Sequence, residues 1–221
     1  MFRNSKIATN LASKIAKAAQ EATDSYRSLL VEQEPQITDR FLGACQHSIN
    51  SARIGGVQWT AKTFTDRGAG SQEREYGADF LCSFELQMPT FRVAKGFLAQ
   101  AKRIEPSDSF SHRDFGDMQS QCEKMLRISP ASFVFLYSHQ NGVQVVPALS
   151  VVAARPCNPH ELTAAAVRTF FIDHFECFIG DKGLAITSAD GVHGLLEEMR
   201  AKAALARAKA ALALVGRGQE G

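Results

Sequence analysis

The sequence predicts an α/β protein, a mixed central sheet flanked by helices with further helices added at both ends. Three observations predict it. Apolar residues recur at steps of three and four near both termini, the period of one helical face. Short β-rich runs punctuated by Gly, Pro and Asn fill the middle of the chain. One helical run separates two of those strands, so that sheet and helices share one core.

From Ser5 to about Glu34 the residues Ile7, Leu11, Ile15, Ala18, Ala22, Tyr26 and Leu29/Leu30 mark a first helix, which Pro35 ends. Ile37, Phe41, Leu42, Cys45 and Ile49 mark a second, running out at Gly55-Gly56. Val57 to Phe64 alternates as a strand, and the polar run from Asp66 to Glu75 reads as a loop. Phe80 to Gln87 and Gly96 to Arg103 are two further strands, separated by Met88-Pro89-Thr90 as a hairpin or sequential pair. Met118, Cys122, Met125 and Leu126 give a crossover helix that stops at Ser129-Pro130. Ser132 to Tyr137 is a continuous apolar strand of the kind covered on both faces, and Val143 to Leu149 follows across Gln140-Asn141-Gly142. Asn158-Pro159-His160-Glu161 carries a helix-start signal, predicting a helix towards Gly180. From Val192 to Val215 the residues are almost all strong helix formers, which predicts a C-terminal helix that docks on its own domain or on another subunit. The expected division is an N-terminal helix over 1–35, an α/β core over 36–155 and a helical extension over 156–221.

Composition narrows the function classes. With 221 residues, 45% hydrophobic and 22% charged, the chain can bury a sizeable core, which excludes wholesale disorder and fibrous repeats. A net charge of +2 names no partner by itself. No apolar run approaches the roughly 20 residues that cross a bilayer, and the first residues lack the apolar stretch of a secretory signal, so a cytoplasmic protein without membrane contact is expected. The five cysteines are scattered and contain no C-x-x-C pair, against a disulfide framework or a zinc knuckle. The six histidines lack metal spacing, and no Walker loop or G-x-G-x-x-G occurs.

One constellation carries chemistry. Leu98, Gln100 and Lys102 share one face of their strand, so a glutamine and a lysine project together from an otherwise apolar element. Burying them is costly without partners, and Asp79, at the mouth of the preceding strand, could serve as a metal carboxylate beside them. Other roles fit the same residues: Asp79 as a strand cap after Gly77, Gln100 and Lys102 as edge-strand or snorkelling side chains. Arg92, Lys95, Lys102 and Arg103 form a basic run without an acid, suited to phosphates or to a solvated hairpin rim. Gln119 and Gln121 lie on the crossover helix, where Gln121 either faces the sheet or is solvated.

An acid opening one strand, followed 21 residues later by x-x-K on the next, resembles the PD-(D/E)xK nuclease superfamily in its Q-x-K variant. The resemblance covers roughly residues 36 to 150 and implies a restriction-endonuclease-like core. It also implies a metal-dependent endonuclease that cleaves DNA with Mg²⁺ (or Mn²⁺). Asp79 would be the carboxylate ligand, the Gln100 carbonyl would take the second ligand's place, and Lys102 would orient the attacking water. Gln100 in place of an acid removes a negative charge, so a compensating acid is expected: Glu75 first, Glu34 second. Glu85 is discounted, since six residues of strand place it about 20 Å from Asp79. Arg92, Lys95, Arg103 and Gln121 would contact nucleic acid. The resemblance further implies an effector of a bacterial anti-phage or restriction system, and the C-terminal helix suits a homo-oligomer or docking on a partner defence subunit. The alternative is a catalytically inactive nuclease-fold subunit that binds nucleic acid or assembles a complex.

Overall fold

The structure, a computed structural model, describes residues 5–50, 52–55, 57–65, 77–89, 91–185 and 210–218. Helix α1 spans Ser5–Arg27 and buries Ile7, Leu11, Ile15, Ala18, Ala22 and Tyr26. It stops before Pro35, with Leu29 in the left-handed region (φ 57°) and the Leu30 N–H donating to the Ser25 carbonyl at 2.9 Å. Pro35 instead sits in the first turn of α2, Glu34–Ile49, where its missing N–H costs no helical bond. The proline therefore opens the second helix and does not close the first.

The strands follow as β1 (Ala52–Ile54), β2 (Val57–Thr65), β3 (Phe80–Met88) and β4 (Phe91–Arg103). After helix α3 (His112–Ile128) come β5 (Ser132–Ser138), β6 (Gly142–Pro147), helix α4 (Ala148–Ala153), β7 (Ala165–Ala166), helix α5 (Val167–Phe175) and β8 (Ala210–Gly218). Among the described residues they form one sheet in the order β1-β2-β8-β3-β4-β5-β6-β7. The sheet is mixed: β3 and β4 are an antiparallel hairpin with Met88 opposite Phe91, while β4 pairs with β5 and β3 with β8 in parallel. The expected α/β architecture, a mixed sheet flanked by helices, holds.

Side-chain alternation along the central strands divides the core. Phe97, Ala99 and Ala101 of β4 face α1, α2 and α5 in a cluster that includes Phe80, Phe84, Phe135, Phe170 and Phe171. Leu98 faces the other way, with Phe115, Met118, Cys122 and Met125 of α3 and Val151 of α4. Phe97 meets Phe170 edge-on at 5.0 Å between ring centroids, a geometry that adds to area burial of about 2–3 kcal/mol per aromatic ring. Helices α1 and α5 thus share one core with the segment they flank.

The chain beyond residue 155 departs most from expectation. The start signal at Asn158 is real, since its side chain accepts from the His160 N–H at 2.9 Å, but it caps only a 3₁₀ turn, Pro159–Glu161. The helix that follows begins at Val167 and ends at Phe175. Residues 210–218 are strand and not helix: the slot between β2 and β3 overrides the helical preference of Ala and Leu. The rest of the predicted C-terminal helix lies outside the described residues. Among the described residues no helix is long and apolar enough to cross a membrane.

Candidate functional site

Strand β3 begins one residue after Asp79, and that stop creates the site. The Asp79 N–H donates to the Ala99 carbonyl at 2.8 Å, as the next rung of the ladder. Beyond it β4 runs on without β3, and its next exposed donor, the Ala101 N–H, is taken by Asp79 Oδ2 at 2.8 Å. Two residues further the Arg103 N–H donates to Glu34 Oε2 at 2.9 Å, so the first turn of α2 supplies a second carboxylate. Carboxylates from two elements therefore cap alternate N–H groups at the same end of β4, about 7 Å apart along the strand.

Gln100 and Lys102 project towards α3, as alternation requires. Gln100 is buried at 2% exposure, with its amide Nε2 donating to the Ala101 carbonyl at 3.1 Å and reaching the Asp79 carboxylate. Lys102 is half-buried and close enough to Asp79 to favour its ionised form. Burial nonetheless dominates: it pushes the Asp79 carboxyl from 3.8 up to about 6, helped by the negative Glu34, while the Ala101 N–H, Lys102 and Gln100 pull it back.

Gly77 brings α3 into the site. Its φ is 71°, and a Cβ there would lie 2.0 Å from the Gln121 carbonyl oxygen, so only glycine permits this approach. Gln121 is thereby set beside the Gly77–Asp79 turn, with its side-chain Oε1 buried and without a hydrogen-bond partner. Gln119 instead donates to the Val152 carbonyl at 2.9 Å and ties α3 to α4.

No family model, curated protein or solved structure matches this chain. What the site does rests on its own geometry.

The structure sets Gln100, Lys102 and Glu34, the second candidate acid, beside Asp79 and brings the Gln121 main chain against Gly77; Glu75, the first candidate, lies outside the described residues. It disperses the basic run. Arg92 stands at the hairpin end of β4, eight residues or about 26 Å of strand from Gln100. Lys95 is buried at 4% exposure and its Nζ donates to the carbonyls of His174 and Ile179, the latter at 2.6 Å, which removes it from any phosphate-facing surface. Arg103 is committed locally: its guanidinium donates to the Glu32 carbonyl at 2.7 Å and stacks over the Tyr26 ring at 5.8 Å. Lys95 and Lys102 therefore do not form one basic patch, and the burial of Lys95 depends on α5 and the loop after it, far along the chain. Glu85 is buried in mid-strand beside Gln87, away from the site.

The donor set suits a hard divalent cation. Asp79, Glu34 and the Gln100 carbonyl offer oxygen donors only, which favours Mg²⁺ or Mn²⁺ over a soft metal. Each carboxylate keeps one oxygen beyond that bound to β4. Among the described residues no group of three or more His, Cys, Asp and Glu side chains is gathered, so such a cation would rely on the Gln100 amide and water besides the two acids.

Proposed function

We propose that this site hydrolyses phosphodiester bonds with a divalent cation, as a DNA endonuclease. The observation that carries the reading is the pair of carboxylates, Asp79 and Glu34, fixed on alternate N–H groups of β4, with Lys102 on the residue between those groups. Glu34 supplies the charge that Gln100 lacks. The chemistry a bound Mg²⁺ supplies there is neutralisation of the phosphate's developing charge and acidification of a water. Asp79 and Glu34 hold oxygen donors in place through backbone bonds that need no rearrangement. Lys102 presents ammonium N–H donors to the attacking water or to a phosphate oxygen, and its half-buried position strengthens that attraction. The α3 side, with Gln121 against Gly77, closes the site behind Gln100. A role in a bacterial anti-phage or restriction system rests on the family resemblance alone.

A second reading is favoured by one observation: Gln100 in place of an acid, together with a carboxyl at Asp79 that releases its proton only near pH 6, gives a weaker cation site than three acids would. The chain would then be a nuclease-fold subunit for nucleic-acid binding or assembly. Asp79→Ala and Lys102→Ala separate the two. Each is expected to abolish cleavage of plasmid DNA in Mg²⁺ while the circular dichroism spectrum stays unchanged, a loss of 10²-fold or more for removing a charge-stabilising group. Full activity in either variant rejects the site. Gln100→Glu restores an acid and should hold or raise cation affinity by calorimetry.

A further inference from the structure

Glu34 reaches the site from a helix, and its aim depends on how the first turn of α2 is held. Thr38, one turn on, is buried at 5% exposure; its hydroxyl lies 3.1 Å from the Glu34 carbonyl oxygen and 3.2 Å from the Tyr137 hydroxyl oxygen. A hydroxyl carries one hydrogen. With that of Thr38 given to the Glu34 carbonyl, the hydrogen between the two hydroxyls comes from Tyr137. Tyr137 is fully buried on β5, in register with Arg103 of β4, the residue whose N–H holds the Glu34 carboxylate. The two ends of Glu34 are thus tied to adjacent strands, its side chain to residue 103 and its main chain, through Thr38, to residue 137.

The neighbours of Tyr137 sharpen the point. Phe133 and Phe135 occupy the preceding positions on the same face of β5, in the same apolar cluster. A third phenylalanine would fill the core equally well, and a hydroxyl there costs free energy unless it is bonded. The hydroxyl occurs only at the position in register with the Glu34 anchor. Burial, with Asp79 and Glu34 nearby, raises its pKa, so it remains a donor at any working pH.

We propose that the Tyr137–Thr38 hydroxyl pair is a positioning device that aims the Glu34 carboxylate at a divalent cation held with Asp79. The inference rests on the reading of this site as a cation-dependent phosphodiesterase. The test measures Mn²⁺ binding by calorimetry, with melting curves and cleavage kinetics, for the wild-type chain, Tyr137→Phe, Thr38→Val, Thr38→Ser and the double variant Tyr137→Phe/Thr38→Val. Val145→Ala, in the same core cluster on β6, is the control for lost packing. Tyr137→Phe and Thr38→Val are each expected to weaken Mn²⁺ binding about tenfold, with kcat falling and KM for DNA unchanged. The double variant should be no weaker than either single one, because both break one chain of bonds. Thr38→Ser keeps the hydroxyl and should keep the affinity, while Val145→Ala lowers the melting temperature and leaves Mn²⁺ binding intact. Unchanged Mn²⁺ affinity in Tyr137→Phe and Thr38→Val overturns the proposal, as does an equal loss in Val145→Ala. A wild-type chain that binds no Mn²⁺ overturns it together with the phosphodiesterase reading. Mn²⁺ binding that obeys this pattern without cleavage of DNA overturns that reading alone.

Discussion

At Gly77 the chain has no room for a side chain, because its backbone lies against the Gln121 carbonyl with φ in the left-handed region. Gly77→Ala must push the Asp79 turn away from α3, and a loss of about 2–4 kcal/mol in unfolding free energy is expected from urea titration. An unchanged midpoint would show that the contact is dispensable. Asp79 sets a pH dependence of its own. Its carboxyl sits at 3.8 when free and about 6 in the fold, so the native state binds the proton more tightly than the unfolded chain. That contribution is fully present below pH 3.8 and is lost as pH rises through about 6. Asp79→Asn escapes the loss, and the variant should gain on the wild type by about 1–2 kcal/mol between pH 4.5 and pH 7.5 in urea unfolding. A constant difference across that range would contradict the burial of this carboxyl. Asp79, Gln100 and Lys102 were legible because strand alternation is local. Glu34 was harder to rank, since its role depends on the first turn of α2 docking at residue 103, distant in the chain. The burial of Lys95 is hidden from the sequence for the same reason: its carbonyl partners, His174 and Ile179, belong to α5 and the loop that follows.

Most helices and strands between residues 36 and 150 follow their sequence signals, where hydrophobic period and turn residues agree, but α2 ends at Ile49 and not at Gly55-Gly56, the short strand β1 fills Ala52–Ile54, and the strand expected over Val143 to Leu149 gives way after Pro147 to α4. Gly142 takes φ 67° at the β5–β6 turn, as the Asn-Gly signal requires. The hairpin strand β4 begins at Phe91, earlier than its apolar run, since the register with β3 recruits Arg92 and Val93 into the ladder. Strand β8 shows where propensity fails. Its Ala- and Leu-rich residues favour a helix by about 0.5 kcal/mol each over β-branched ones, yet the slot offers hydrogen bonds on both sides, to β2 and to β3. Ala213 lies in register with Lys62 on one side and Ser83 on the other. Ala213→Pro removes a ladder donor from a central strand and should lower stability by about 3 kcal/mol or more, read by thermal melting. A Tm within one or two degrees of wild type would place residues 210–218 outside the sheet.

For the whole molecule, the mixed sheet puts one end of β4 where a strand stops, a helix starts and a second helix closes in. That convergence of β3, α2 and α3 on one strand end is what makes two acids, an amide and a lysine neighbours. The basic residues, in contrast, do not converge: Arg92 is distant, Lys95 is buried and Arg103 holds the chain before α2. Among the described residues of that run, only Lys102 is left to meet nucleic acid beside the cation site, and binding should weaken when the cation is withdrawn. The most direct measurement incubates the purified chain with supercoiled plasmid and with RNA, in Mg²⁺, in Mn²⁺ and in EDTA. A cation-dependent nuclease leaves nicked and linear plasmid in either cation and none in EDTA. Intact plasmid in both cations, or cleavage that persists in EDTA and in Lys102→Ala, would contradict the proposed activity.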